Sequence, residues 1–225
     1  MSLFWVLLVP GLAAEKPATL RYLRPEGGRY VLESEVSTTA TTEGSTYVSK
    51  TVRGKETMTL TVRRGKDGKV LWAEAVQVKD GQRRKATLDL RVEPAQLKRG
   101  GVTDLLKVAA NPVVTTAPDW SDVFELVRRY DGARGGKQEF AGFWMHPSQP
   151  HLTPTFSVEK LGKDTVKVDG KEQQLVRYRV KLRSGAYLVW AREGGPVCKI
   201  LPGGAKAVPV VLEGYEEATR GLKGP

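Results

Sequence analysis

Alternation with a period of two is the feature that most narrows the folds open to this chain. Met58, Leu60 and Val62 alternate with Thr57, Thr59 and Thr61. The following stretch sets Ala86, Leu88, Leu90 and Val92 against Lys85, Thr87, Asp89 and Arg91. Successive side chains of an extended backbone point to opposite faces, so such runs predict strands with one buried face. Turn chemistry falls between the runs, at Gly65-Lys-Asp-Gly68, Asp80-Gly81, Asp169-Gly170, Ser184-Gly185 and Gly194-Gly195-Pro196. Asp-Gly suits a two-residue hairpin because both residues accept positive φ. Strands over residues 30–37, 47–52 and 70–78 complete a first meander spanning residues 29–92. Strands over 174–183, 186–192, 197–201 and 208–215 form a second within residues 155–216. Pro209 cannot donate to a ladder, so the last strand is expected at an edge or a bulge.

The middle, residues 103–131, departs from this pattern. Trp120, Val123, Phe124, Val127 and Tyr130 recur at helical spacing on one face, which predicts a helix over residues 119–130. Asp119 is the expected cap and Gly132 the expected left-handed exit. A second, short helix is expected over residues 103–110, stopped by Asn111-Pro112. Residues 15–28, with Pro17, Pro25 and paired glycines, read as a loose lead-in. Residues 133–154 read as a loop with one short strand around 140–145. The expected fold is mainly β, in one domain over residues 15–225. It is a single curved antiparallel sheet or unclosed β-barrel with one or two helices packed on its concave side.

Residues 1–14 are apolar and uncharged and end in small residues, Ala13 and Ala14, ahead of Glu15-Lys16-Pro17. A run this short falls below the about 20 residues a membrane-spanning helix needs. It fits a secretory signal peptide cleaved after Ala13 or Ala14. Cys198 is the only cysteine, so no internal disulfide can form. The only asparagine, Asn111, precedes Pro112, so no N-glycosylation sequon exists. Together these favour a bacterial envelope, periplasmic or fully secreted, and a chain that is soluble with no transmembrane span once the signal is cleaved. Thirty-six Lys and Arg against 25 Asp and Glu give a net charge of +11. That excess favours anionic partners, although zinc-finger spacing and aromatic RNA-binding signatures are absent and nucleic acid is not expected.

No G-x-S-x-G, H-E-x-x-H, P-loop or G-x-G-x-x-G motif is present, so no catalytic residue, metal or cofactor is assigned. His146 and His151 share one Pro-rich segment without enough neighbouring ligands for zinc and read as ordinary loop histidines. Cys198 lies in a strand and reads as a packed apolar residue. Arg177, Arg179, Lys181 and Arg183 alternate with Val176, Tyr178, Val180 and Leu182. That basic row is either a solvated outer face that discourages edge pairing or a surface for an anionic glycan or lipid headgroups. Arg63-Arg64 and Arg83-Arg84-Lys85 spread the charge further. Trp120, Phe124, Val127 and Tyr130 of the helix, with Trp190, either fill the core or line an apolar cavity between helix and sheet.

The order of elements, together with Lys163-Asp-Thr-Val-Lys-Val-Asp-Gly170 and Tyr187-Leu-Val-Trp-Ala-Arg-Glu-Gly-Gly-Pro-Val-Cys-Lys-Ile200, resembles exported bacterial β-rich proteins. Their layout is similar to that of the half-barrel periplasmic lipoprotein carriers. The resemblance implies an unclosed barrel with a helical lid and an apolar groove. The leading expectation is therefore an exported, non-enzymatic protein that holds an apolar or lipid-like ligand between sheet and helix. The alternative is an envelope interaction or structural protein that uses its basic surface on anionic glycan or lipid.

Overall fold

A computed structural model describes residues 19–117, 120–204 and 207–222; the expected signal peptide, residues 1–14, lies outside the described residues. The first half is an uninterrupted antiparallel meander. It runs through β1 (Thr19–Glu26), β2 (Arg29–Thr41), β3 (Gly44–Arg53), β4 (Glu56–Gly65), β5 (Val70–Lys79), β6 (Gln82–Asp89), β7 (Ala95–Arg99) and β8 (Val102–Leu106). Short turns join these strands, and Asp80-Gly81 takes the positive φ its chemistry allows, 48° and 78°. The middle holds β9 (Val113–Thr115), α1 (Ser121–Arg129), β10 (Lys137–His146) and β11 (Gln149–Leu152). The second half follows with β12 (Thr155–Val168), β13 (Lys171–Leu182), β14 (Gly185–Ala191), β15 (Val197–Pro202) and β16 (Val210–Leu212).

Among the described residues, sixteen strands belong to one unclosed sheet. From β11 the order runs β10, β12, β13, β14, β15, β16, and then β1 through to β8. β9 adds a parallel pair to β10, with Phe143 opposite Val114. The two halves are joined by the last strand, which pairs β15 on one side and β1 on the other, setting Tyr22 opposite Leu212. The free ends of the sheet are bridged by a side chain rather than a ladder: Arg99 of β7 donates to the carbonyl of Gln149 in β11.

Several expectations are corrected. Residues 15–28 are not a loose lead-in where described, because β1 pairs eight residues with β2 and buries Tyr22. Residues 103–110 form no helix. Gly100 and Gly101, at φ 50° and 84°, make a tight turn that folds Val102–Leu106 back onto β7. Residues 133–154 carry two paired strands, β10 and β11, not one short strand in a loop. The final strand is interior rather than at an edge, and Pro209 sits immediately before its first residue, where no ladder N–H is required. The expected Asp119 cap lies outside the described residues. The helix ends at Tyr130, which turns extended at ψ 121°, so the exit is made before Gly132.

One hydrophobic cluster draws on both halves of the sheet and on the helix, including Leu60, Ala73, Leu88 and Leu97 with Phe143, Val158, Val180 and Ile200. Val123 and Leu126 of α1 belong to it and are fully buried. A buried ion cluster adds direction to this packing. Glu125 of α1 accepts hydrogen bonds from Arg64 Nη2 of β4 at 2.9 Å, from Arg128 at 2.8 and 2.9 Å, and from Arg129 Nε at 2.5 Å. Arg129 also donates to the carbonyls of Asn111 and Pro112 at 2.7 and 3.2 Å. The helix is thereby tied to β4 and to the segment that leads into β9.

Candidate functional site

The most developed polar site is a cleft of about 770 Å³ at one rim of the sheet. It opens between the ends of β3 to β6 and the hairpin made by β10 and β11, and Arg53, Lys79, Arg84, Trp144, His146 and Ser148 are among its lining residues. Register explains the convergence. Met58 pairs with Gln77 and Gln77 with Arg84, so Gln77 and Arg84 continue the core-facing alternation of Ala73, Ala75, Ala86 and Leu88 to the rim. A core-facing position that turns polar at a strand end is the mark of a lined opening rather than of a packed core.

The walls are ordered by a chain of hydrogen bonds. Gln77 Nε2 donates to Glu56 Oε1 at 2.6 Å, and Ser148 Oγ donates to Gln77 Oε1 at 3.3 Å. The Ser148 backbone N–H donates to His146 Nδ1 at 3.2 Å. That bond requires an unprotonated Nδ1, so the neutral imidazole carries its hydrogen on Nε2. The ring is only 4% exposed and stacks on Trp144, centroids 5.6 Å apart and planes 12° apart. Burial pushes its pKa below the ordinary value; Glu56 pulls it up, and Arg84 adds to the depression. His146 is therefore a neutral wall of the cleft near neutral pH. Cations outnumber anions around the opening, with Arg53, Lys79 and Arg84 against Glu56 and Asp80. Arg53 is partly committed, since its Nε donates to the buried Glu33 at 2.7 Å.

The residues expected to line an apolar cavity are not gathered in one place. Phe124 stacks on Tyr22 at 4.6 Å, Trp120 meets Tyr187 edge-on at 5.8 Å, and Tyr130 meets Tyr178 edge-on at 5.4 Å. Val127 and Tyr130 border a separate cavity of about 220 Å³ beside Lys160 and Gly194. Rings of the protein itself thus occupy part of the helix–sheet seam, and Trp120 borders another cavity, of about 390 Å³, with Arg53, Pro202 and Val210. Trp190 lies on the other face of the sheet: it pairs with Arg177, and so alternates with Tyr178, which faces the helix. Its Nε1 donates to Asp164 at 2.8 Å, and Lys199 Nζ lies 5.5 Å from its ring. Lys199 in turn donates to the carbonyls of Thr219 and Leu222 at 2.7 Å each, pinning the C-terminal segment there.

The basic row alternates as the sequence implies. Arg177 pairs with Asp164 and Arg179 with Glu159, each at 3.3 Å, while Lys181 and Arg183 are exposed. Carboxylates of β12 thus offset half of the row. Cys198 is fully buried, and burial pushes its thiol up to about 11. His151 stacks on Phe143 at 5.5 Å, and no group of three or more potential metal ligands occurs among the described residues. No helix among the described residues is long and apolar enough to cross a membrane.

Sequence reasoning missed Glu56, Gln77, Arg84 and Ser148 as partners. Their one local signal is parity: Gln77 stands where the alternation of Ala73 and Ala75 calls for an apolar residue. Comparison with protein-family models, with curated proteins and with solved structures finds no match.

Proposed function

We propose that this chain is an exported, non-enzymatic binding protein that takes a small, polar, negatively charged ligand in the rim cleft. The observation that carries the reading is the Glu56–Gln77–Ser148–His146 chain holding the wall of a cleft in which cations exceed anions. Fixed donors cost a ligand less than donors that must be ordered on binding. Trp144, half-buried and braced by His146, offers a flat apolar surface beside them. Binding is favoured over catalysis because His146 Nδ1 is already engaged by a backbone N–H and is not available to take a proton. Export rests on residues 1–14. The apolar-ligand reading draws less support, since rings of the protein itself occupy part of the seam between helix and sheet.

Isothermal titration of the protein with inorganic phosphate, glucuronate and a medium-chain fatty acid tests the reading. Binding of phosphate or glucuronate, weakened in Arg84→Gln, is the expected result. Binding of the fatty acid alone, unaffected by Arg84→Gln, would return the ligand to the apolar seam.

A further inference from the structure

The register of β3 to β6 lays out one wall of the rim cleft in rows. Arg53 stands opposite Glu56, Glu56 opposite Lys79, and Lys79 opposite Gln82, so one line of cross-strand partners crosses four strands. Met58, Gln77 and Arg84 form the next row inward. Directly opposed residues share a face, and so do residues two apart on a strand. Met58, 1% exposed, shows that this face is the inner one. The interstrand spacing makes the outer row about 14 Å long, more than a single small anion can occupy. Across the cleft the β10–β11 hairpin contributes an aromatic wall, Trp144 braced by the near-parallel ring of His146.

The two signs of charge are interleaved on this wall. Arg53 is held by Glu33, but Lys79 and Arg84 enter no ion pair among the described residues, and Arg84 donates only to the neutral Gln82, at 3.2 Å. Glu56, opposite Lys79, receives a hydrogen bond from Gln77 on Oε1 and none on Oε2. An ionised carboxylate only accepts. A ligand that fills the row must therefore bring donors to Glu56 and negative charge to Lys79 and Arg84. A phosphate dianion brings acceptors alone, and at Lys79 it would meet the neighbouring carboxylate of Glu56. Sugar hydroxyls both donate and accept, the C–H face of a sugar ring packs on an indole, and a carboxylate on the ring supplies the charge. We infer that the cleft takes an acidic oligosaccharide, laid across β3 to β6 with a ring against Trp144 and carboxylates towards Lys79 and Arg84. This deepens the reading of the cleft as a site for a polar anion, and rests on it.

Isothermal titration of the full chain with tri-galacturonate, galacturonate, maltotriose, phosphate and AMP tests the inference. Tri-galacturonate should bind more tightly than each of the others. Lys79→Gln should weaken it about tenfold, the loss of one hydrogen bond to a charged group. Because Lys79 is exposed, an unchanged circular dichroism spectrum should accompany that loss. Glu56→Gln keeps an acceptor for Gln77 and separates the ligand classes by sign: it should weaken tri-galacturonate and tighten phosphate. Phosphate or AMP bound more tightly than tri-galacturonate would overturn the inference and leave the anion reading standing. So would galacturonate bound as tightly as its trimer, since the row would then go unused. Maltotriose bound as tightly as tri-galacturonate, or no binding of any of the five, would overturn the inference and the anion reading together.

Discussion

Arg64 Nη2 stands 2.9 Å from Glu125 Oε2, and both side chains are 7% exposed. Burial alone would drive the Glu125 carboxyl up, yet the hydrogen bonds from Arg128 and the charges of Arg64 and Arg129 hold it below the ordinary value. Burial has the opposite consequence for Arg64, whose pKa is lowered despite the attraction of Glu125. The pair is therefore a fixed joint between helix and sheet, costly to leave half made.

Glu125→Ala should destabilise the protein by about 3–5 kcal/mol, the usual result of stranding a buried guanidinium. Urea denaturation measures it through the midpoint. Replacing both partners, Arg64→Met with Glu125→Leu, should recover only part of the loss: the stranded Arg64 charge is gone, but Arg129, 11% exposed, also loses its carboxylate and keeps only its bonds to Asn111 and Pro112.

His146 gives a separate dependence on pH. Its folded pKa lies below the ordinary 6.5 because of burial, so the unfolded chain takes up the proton first as pH falls. The contribution is whole above the ordinary imidazole range. It declines as pH drops from about 6.5 towards the lower folded value, and is lost below that. Denaturation midpoints at stepped pH should show this slope in the wild type and lose it in His146→Gln. Glu125 adds a second loss at lower pH, since its depressed pKa confers stability only above the unfolded carboxyl range.

Cys198 should be silent in the native state. A buried thiol with its pKa raised to about 11 holds almost no thiolate near neutral pH. A chromogenic disulfide reagent should react at the rate of unfolding in buffer and at once in denaturant.

Gly142 has no room for a side chain. A Cβ there would lie 2.5 Å from the Phe156 ring and 2.9 Å from the Pro154 carbonyl oxygen. Gly142→Ala should cost about 1–3 kcal/mol through overpacking, read as a lowered thermal midpoint. Phe156→Leu in the same chain should relieve part of it, giving a non-additive double-mutant cycle.

The hairpins were legible because each rests on local chemistry: Asp80-Gly81 and Asp169-Gly170 adopt the conformation their dipeptides favour. Residues 103–110 were not. A short apolar run such as Leu105, Leu106 and Val108 suits helix or strand alike, and a partner strand decided between them. The rim cleft was hidden for another reason. Its residues come from stretches around 53–56, 77–84 and 144–149, and only the register of the sheet and the hairpin after β10 bring them together. Trp190 shows what periodicity could have said: it alternates with Val189, so it could not share a face with residues paired across from Val189, such as Tyr178.

The three residues of β16 carry a consequence for biogenesis. Among the described residues they are the only ladder between the two halves of the sheet, and the ion pair beside them joins Arg21 to Glu213, 192 positions away. Loop closure over such a span must be met before the contacts it enables can repay it. A ribosome delivers residues 210–212 only after every strand from β1 to β15 has been made. Until then the emerging chain has two half-sheets whose inner borders, β1 and β15, lie open and sticky. Chaperone protection would matter most in that interval, and a circular permutant with new termini between β8 and β9 would shorten it by making the seam local.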